Sequence, residues 1–336
     1  MKVPNFIIGG SSASGTSFLY ELLIQHPEVY LPKQRIPEPH YYYKSWEYVK
    51  GIKWYLDYYF SDATEDKIAI GERSSSYLYG GREVAQRIAK DFPKMKFIFM
   101  LRNPIQRAWA NYRFTALQGL ETMSFKEALI NEKTRIKNTQ GIWREIAPYD
   151  YTGRGFYAKQ LKEFLEFFPK EQILCIKSEV LSNANLAPLT QVYEFLGLKN
   201  KGFVPSYAPN YTSLSVVDVK LQKELRTYFG DANFMQLMNS IRKEEVIIDN
   251  GEQRERFSQL KNNIKTIKED IPEGCVEFLQ GVFGEDIRLL AKLVDFNVND
   301  WLNPTSESAG GGANRGVDTY TLLVCQNKRL ICKLAS

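Results

Sequence analysis

Residues 10–17 run Gly10-Ser11-Ser12-Ala13-Ser14-Gly15-Thr16-Ser17. An apolar strand (Asn5 to Ile8) precedes them, and an amphipathic helix (Thr16 to Gln25) follows. Small residues at such a turn let the backbone curl so that several N–H groups converge at the positive end of a helix, which suits a bound phosphate. Gly10 and Gly15 keep the G-x-x-x-x-G spacing of a Walker-type loop, but Thr16 and Ser17 stand where that motif has Lys and Ser/Thr. That lysine grips the β- and γ-phosphates of a nucleoside triphosphate. Its replacement points to a nucleotide with a single phosphate at this end. The plainer alternative is a tight turn that needs glycine for geometry alone.

A cation stands at a comparable place. The apolar strand Lys96 to Leu101 runs directly into Arg102-Asn103-Pro104, and a helix starts there. Proline suits a first helical turn, because the N–H it lacks would be unpaired in any case. Arg102 therefore sits at a strand's C-terminal edge, where open α/β sheets bind ligands. A surface ion pair is the alternative for this residue. Only two histidines exist, His26 and His40. His26 follows a helix in Gln25-His26-Pro27 and reads as a packing or capping residue. His40 leads into Tyr41-Tyr42-Tyr43 and is placed to line a cleft.

Together these segments resemble the sulfotransferases that use 3′-phosphoadenosine 5′-phosphosulfate (PAPS). The first is similar to that family's 5′-phosphosulfate loop. The second is similar to its 3′-phosphate motif, R-N-P followed by R-A-x-S-x-Y. Three further likenesses follow in order: Pro32-Lys33 with Glu38-Pro39-His40-Tyr41-Tyr42, then Gly71-Glu72-Arg73-Ser74-Ser75-Ser76-Tyr77-Leu78, then Arg154-Gly155-Phe156-Tyr157-Ala158-Lys159-Gln160-Leu161 with Phe168-Pro169. The resemblance runs from about residue 4 to 198, with a fainter echo from Glu277 to Trp301, and is nearest the heparan-sulfate-type and bacterial branches.

The resemblance implies transfer of a sulfuryl group from PAPS to a hydroxyl or amine, with a saccharide or another hydroxyl-bearing acceptor such as a lipid or small metabolite, and no metal. It places the nucleotide on Gly10, Ser11, Ser12, Ala13, Ser14, Gly15, Thr16 and Ser17, and on Arg102, Ala110, Arg154 and Tyr157. It makes Glu72 the first choice of base, with a pKa raised beside a bound polyanion, and His40 the second. Structurally, Glu72 could instead pair with Arg73 or Lys44. Two departures stand out. Ala13 occupies the family's loop lysine position, and Ala110 occupies its 3′-phosphate serine position. No segment from Ser206 to Val217 matches the family's C-terminal lysine- and arginine-bearing stretch. Arg73, Lys33 and Arg35 are the local cations that could serve the leaving phosphate in place of a lysine at 13.

The elements that must position these residues alternate strand and helix. Strands are expected at 4–9, 67–71, 96–101 and 172–177. Helices are expected at 16–25, 47–59, 81–91, 104–117, 124–135, 155–168, 184–196, 217–229, 232–243, 252–268 and 274–294. Such alternation implies an α/β fold, a P-loop-like parallel sheet with helices on both faces and a helical C-terminal region. Leu161, Phe164, Leu165 and Phe168 share one helix face and read as core. Residues 1–303 are expected to form one domain, with 217–270 a helical insertion or lid. Residues 304–336 change to a Gly/Ser-rich tail, with a short apolar run from Tyr320 to Cys325.

Composition bounds the remaining choices. The 336 residues are 44% hydrophobic and 25% charged, with 20 Tyr and 20 Phe, which fits a folded enzyme with a large core. A net charge of +5 agrees with an anionic ligand, and no basic run is dense enough to predict nucleic-acid binding. The four cysteines have no metal-ligand spacing, and Cys175 reads as a buried small hydrophobe. No apolar run reaches membrane-spanning length and Met1-Lys2-Val3-Pro4 enters a strand at once, so a cytoplasmic, bacterial location is expected. Two other functions stay open at this point. A P-loop small-molecule kinase or NTPase is weakened by Thr16. A pseudoenzyme that binds PAPS or 3′,5′-ADP is motivated by Ala13 and Ala110.

Overall fold

Alternation within the strands sets the layers of the molecule. A computed structural model describes residues 3–32, 38–181, 185–206, 214–242, 251–266 and 270–302. Strands β1 (Phe6–Gly10), β2 (Val29–Tyr30), β3 (Ala69–Arg73), β4 (Lys96–Leu101) and β5 (Ile173–Lys177) form one sheet in the order β2-β3-β1-β4-β5. Every pairing in it is parallel. Strands β6 (Leu214–Val216) and β7 (Ile264–Thr266) form a separate antiparallel pair. The first helices are α1 (Thr16–Leu23), α2 (Ser45–Tyr48), α3 (Ile52–Phe60), α4 (Tyr77–Asp91), α5 (Pro104–Leu117), α6 (Phe125–Asn138) and α7 (Ile142–Ile146). They are followed by α8 (Tyr157–Leu165), α9 (Pro188–Leu196), α10 (Val219–Phe229), α11 (Asp231–Arg242), α12 (Gly251–Asn262) and α13 (Cys275–Leu290).

Successive strand side chains point to opposite faces. Ile7, Phe97, Phe99 and Leu101 enter one core with Ile88 of α4, Phe164 of α8 and Phe283 of α13. Phe6, Ile8, Ile98 and Met100 enter the other with Leu19 and Leu22 of α1 and Val192 of α9. A parallel sheet covered on both faces needs strands that are apolar throughout, and Phe97-Ile98-Phe99-Met100-Leu101 meets that need. A third core joins Leu117 at the end of α5 to Leu225, Phe234, Met238 and Leu260 of the later helices.

The ends of these elements carry local signals. Pro104 opens α5, and the Asn103 side chain caps it by accepting from the Ile105 amide at 2.9 Å. Leu161, Phe164 and Phe168 are buried as expected, while Leu165 is half-buried. His26 packs on Tyr193 and Phe203, in keeping with a packing residue.

Several expectations need correction. The helix expected at 47–59 divides at Gly51, whose φ of 83° breaks the helical path. The helix expected to run on to 268 ends before Asn263, whose side-chain amide donates to the Asp218 carbonyl and to Gln222 Oε1, both at 2.9 Å. The chain then continues as β7, so the 217–270 region is not wholly helical. Strand β2 was not expected. Cys175 is half-buried on the edge strand β5, not fully buried. Lys33, Arg35 and the 304–336 segment lie outside the described residues. No described helix is long and apolar enough to cross a membrane.

Candidate active site

The loop after β1 lies between β3 and β4 at the C-terminal edge of the sheet. The order in which the strands are joined reverses there, and such a switch point leaves a crevice for a ligand. Gly10 has a φ of +145°, and a Cβ on it would lie 3.0 Å from the Ser75 carbonyl oxygen. Gly15, at φ 87°, caps the start of α1. Both conformations favour glycine, so the loop passes tightly over the turn that follows β3.

Neighbouring elements pin this loop on every side. Ser11 Oγ and Ser14 Oγ share a 2.6 Å hydrogen bond, and Ser11 Oγ also lies 3.3 Å from the Tyr157 hydroxyl. Ser12 Oγ donates to the Ser75 carbonyl at 3.2 Å, and Ser178, just past β5, donates to the Ser14 carbonyl at 2.6 Å. Arg102 donates to the Ala13 carbonyl at 3.3 Å. Arg73, the last residue of β3, donates to Ser17 Oγ in the first turn of α1. Two guanidinium groups therefore reach the loop. The curled backbone, the helix start and these cations fit a bound phosphate ester. Thr16 and Ser17 open α1, whose N-terminus faces the same crevice.

Beside the loop, four buried ionisable groups come together. Glu38 Oε1 lies 2.9 Å from the Arg73 guanidinium, and Glu38 Oε2 lies 2.7 Å from His40 Nε2. Glu38 also accepts from the Ser75 amide at 3.1 Å and hydroxyl at 2.7 Å. Burial pushes the Glu38 carboxyl up, but Arg73 and then His40 outweigh it and hold the carboxyl well below its usual range. Burial pulls the His40 imidazole down to about 4 against the pull of Glu38, so the ring is neutral at neutral pH. Lys44 is buried nearby, and burial lowers its ammonium to about 8.

Glu72 has different company. Tyr55 and Tyr77 donate to its Oε1 at 2.9 and 2.7 Å, and Ser74 donates to Oε2. Burial raises its carboxyl to about 7, against these three hydrogen bonds. Arg73 pairs with Glu38.

Of the residues singled out in the sequence, the loop from Gly10 to Ser17, Arg73, Arg102 and Tyr157 converge on one crevice. His40 and Glu72 border it through the Ser74–Ser75 turn. Arg154 is buried next to the Ser74–Ser76 turn. It donates to the Ile146 carbonyl at 2.8 Å and to Ser76 Oγ at 3.4 Å, with its guanidinium over the Tyr79 ring. Ala110 lies midway along α5 with no polar side-chain atom to offer. Sequence reasoning missed Glu38, Ser75 and Ser178 as site residues. The signal for Glu38 was present, since Glu and His two residues apart can share one proton network. Among the described residues, no group of three or more His, Cys, Asp or Glu side chains is placed to hold a metal ion.

Known proteins place this architecture. The solved structure of a sulfotransferase from Alicyclobacillus acidocaldarius superposes with a TM-score of 0.62 at 23% identity, covering 90% of this chain and 99% of that one, and so shares the fold. Heparan sulfate glucosamine 3-O-sulfotransferase 3B1 of Homo sapiens is 31% identical over 199 residues, 59% of this chain and 47% of that protein. Bifunctional heparan sulfate N-deacetylase/N-sulfotransferase 4 of Mus musculus is 27% identical over 202 residues, 58% of this chain and 22% of that protein. The chain thus spans about half the length of the first relative and less of the second. The model of the sulfotransferase domain matches residues 4–282, and with most of its length inside that match the chain belongs to the sulfotransferase family.

Proposed function

We propose that the protein is a PAPS-dependent sulfotransferase that moves a sulfuryl group to a saccharide hydroxyl by in-line displacement. The observation that carries this reading is Arg73, which joins the first turn of α1 to Glu38 and so ties the phosphate loop to a proton-accepting group. PAPS would supply the sulfuryl group, and 3′,5′-ADP would leave. The loop amides and Ser17 would hold the 5′ end, and Arg102 would neutralise phosphate charge. Arg73 takes the role of the cation absent at Ala13. Catalysis of this kind rests on positioning and on stabilising charge that develops on the leaving phosphate.

We take His40, oriented by Glu38, in preference to Glu72 as the proton acceptor. Glu38 fixes the imidazole orientation and would stabilise it once protonated. A bound polyanion raises the pKa of a nearby imidazole, which moves His40 from about 4 toward the working range of a base. Glu72 would set the hydroxyl array of Ser74, Tyr55 and Tyr77 that supports the turn. An amine acceptor would use the same groups. The kinase reading loses support from the family match. A cytoplasmic, bacterial setting is part of the proposal, supported by the bacterial origin of the structural neighbour. A direct test is release of 3′,5′-ADP from PAPS in the presence of a saccharide acceptor. The expected result is acceptor-dependent release, with ATP unable to replace PAPS. Tight 3′,5′-ADP binding with no acceptor-dependent release would make the protein a nucleotide-binding pseudoenzyme.

A further inference from the structure

The two edges of the parallel sheet differ. One is β2, only two residues long, and a short edge is itself a protection against stray pairing. The other is β5, and among the described residues no strand pairs with its outer side. Strands β1 and β3 are buried throughout, whereas Ile173, Leu174, Cys175 and Lys177 of β5 are half-buried. Such an edge sets unpaired backbone N–H and C=O groups beside apolar side chains, a combination that natural sheets cover or interrupt.

A groove of about 430 Å³ runs along this edge. Its two walls belong to opposite faces of the sheet. Leu161 and Leu165 of α8, with Phe296, form an apolar wall on the side of Ile173 and Cys175. Pro188, Gln191 and Glu194 of α9 form a mixed wall on the side of Leu174. The lysines of the lining are already paired, Lys170 with Asp295 at 2.8 Å and Lys177 with Asp300 at 2.7 Å. The groove therefore suits an extended, uncharged segment whose alternate residues meet different walls.

The chain carries such a segment beyond its described part. Tyr320-Thr321-Leu322-Leu323-Val324-Cys325 has no charge, and Tyr320, Thr321 and Val324 are of the types that strands favour. In a strand, Tyr320, Leu322 and Val324 share one face, which matches the apolar wall. Thr321, Leu323 and Cys325 share the other, which matches the mixed wall. The tether also starts in the right place. Leu302 follows Asp300, which binds Lys177 at the C-terminal end of β5. Residues 303–319 give a linker of 17 residues that includes Gly310, Gly311, Gly312 and Gly316. A glycine-rich linker of that length has a root-mean-square span of about 23 Å, more than the roughly 16 Å of a five-residue strand.

We propose that Tyr320 to Cys325 docks in this groove as a sixth strand, antiparallel to β5, and closes the open edge of the sheet. Antiparallel pairing begins at Lys177, where the tether begins. The tether makes docking intramolecular, at an effective concentration of about a millimolar. The inference does not depend on the sulfotransferase reading.

The test is residue-resolved hydrogen exchange on the full chain, read at the β5 amides that point away from β4. Backbone donors alternate in direction along a strand, so the double change Leu322→Pro with Leu323→Pro removes a donor to β5 in either phase. Val324→Asp keeps every donor and sets a charge against the apolar wall. These changes lie outside the cores of the folded domain. The outward amides of β5 should exchange at least about tenfold more slowly in the wild type than in either variant, as for any segment that opens only rarely. Equal exchange in the three chains overturns the proposal. Protection that rises with protein concentration, together with a dimer mass by light scattering, also overturns it, because a second copy then covers the edge.

Discussion

Two buried carboxylates share one serine turn in this protein, and their surroundings drive them in opposite directions. Ser74 donates to Glu72 and Ser75 donates to Glu38. Glu38 has a guanidinium and an imidazole against it and stays ionised. Among the described residues, Glu72 has only hydroxyl donors against it, and burial raises it to about 7. Burial alone does not set the state of a carboxyl; what matters is whether a cation is buried with it. The one beside the cation also adjoins the phosphate loop, through Arg73 and Ser17.

The largest expected effect comes from breaking the cationic side. Arg73→Ala leaves Glu38 buried beside His40 without its guanidinium. Loss of one partner from a buried pair costs about 3–5 kcal/mol, which a denaturant titration at neutral pH would detect. Transfer should be abolished in the same variant. Arg73→Lys should recover much of the stability, and wild-type stability in Arg73→Ala would show that the pair is not the anchor it is taken to be.

The next effect separates the two carboxylates by pH. Glu72 has a folded pKa of about 7 against an ordinary 4.5, so the folded state holds the proton more tightly than the unfolded state. Its contribution is fully present below about pH 4.5 and is lost as pH rises through about 7, a change of about 3 kcal/mol. Glu38 has the opposite sign: its contribution is present above its ordinary pKa and is lost as pH falls through its lowered folded value. His40, lowered to about 4, also favours the fold as pH rises through its ordinary 6.5. The difference between wild type and Glu72→Gln isolates Glu72 from these two and from Arg73. The stability of Glu72→Gln relative to wild type should rise between pH 4.5 and 7, by about the amount given above. A difference independent of pH would mean that Glu72 is ionised at an ordinary pKa.

A smaller effect tests the nucleotide end. Arg102→Ala should weaken 3′,5′-ADP binding by about 1.5–3 kcal/mol, the range for a hydrogen bond to a charged group. AMP binding should fall much less. Because Arg102 also reaches the Ala13 carbonyl, an equal loss for both nucleotides would assign it to the 5′ side of the loop. The smallest effect is expected at Ala13. With Arg73 and Arg102 already at the loop, Ala13→Lys should change turnover little. A gain of about tenfold or more, the scale of one added donor at a developing anion, would show that the wild-type loop lacks its cation.

The parts of this site that lie contiguous in the chain were legible in the sequence. Gly10 to Ser17 and Arg102-Asn103-Pro104 each sit at a strand end and carry their own turn or cap chemistry. The parallel sheet followed from apolar strands alternating with amphipathic helices. Contacts across the chain were not legible. Arg73 meets Ser17 because β3 lies beside β1, and Glu38 reaches Arg73 from the chain that precedes α2. The position of Glu72 at a strand end was visible in the sequence, whereas its three hydroxyl donors were not. Strand β7 is too short to show a period of its own, and Asn263 ends the preceding helix through bonds to residues about 40 positions away.

The most direct measurement is the rate of 3′,5′-ADP release from PAPS, with a saccharide acceptor, for wild type, Glu38→Gln and Glu72→Gln. A lost proton acceptor costs about 10²–10⁴-fold. Glu38→Gln, which takes from His40 the carboxylate that orients it, should fall by about that amount while 3′,5′-ADP affinity holds. Glu72→Gln should retain turnover within about tenfold of wild type, because it removes support for the turn and not the proton acceptor. The reverse order, with Glu72→Gln inactive and Glu38→Gln active, would contradict the assignment of the two carboxylates.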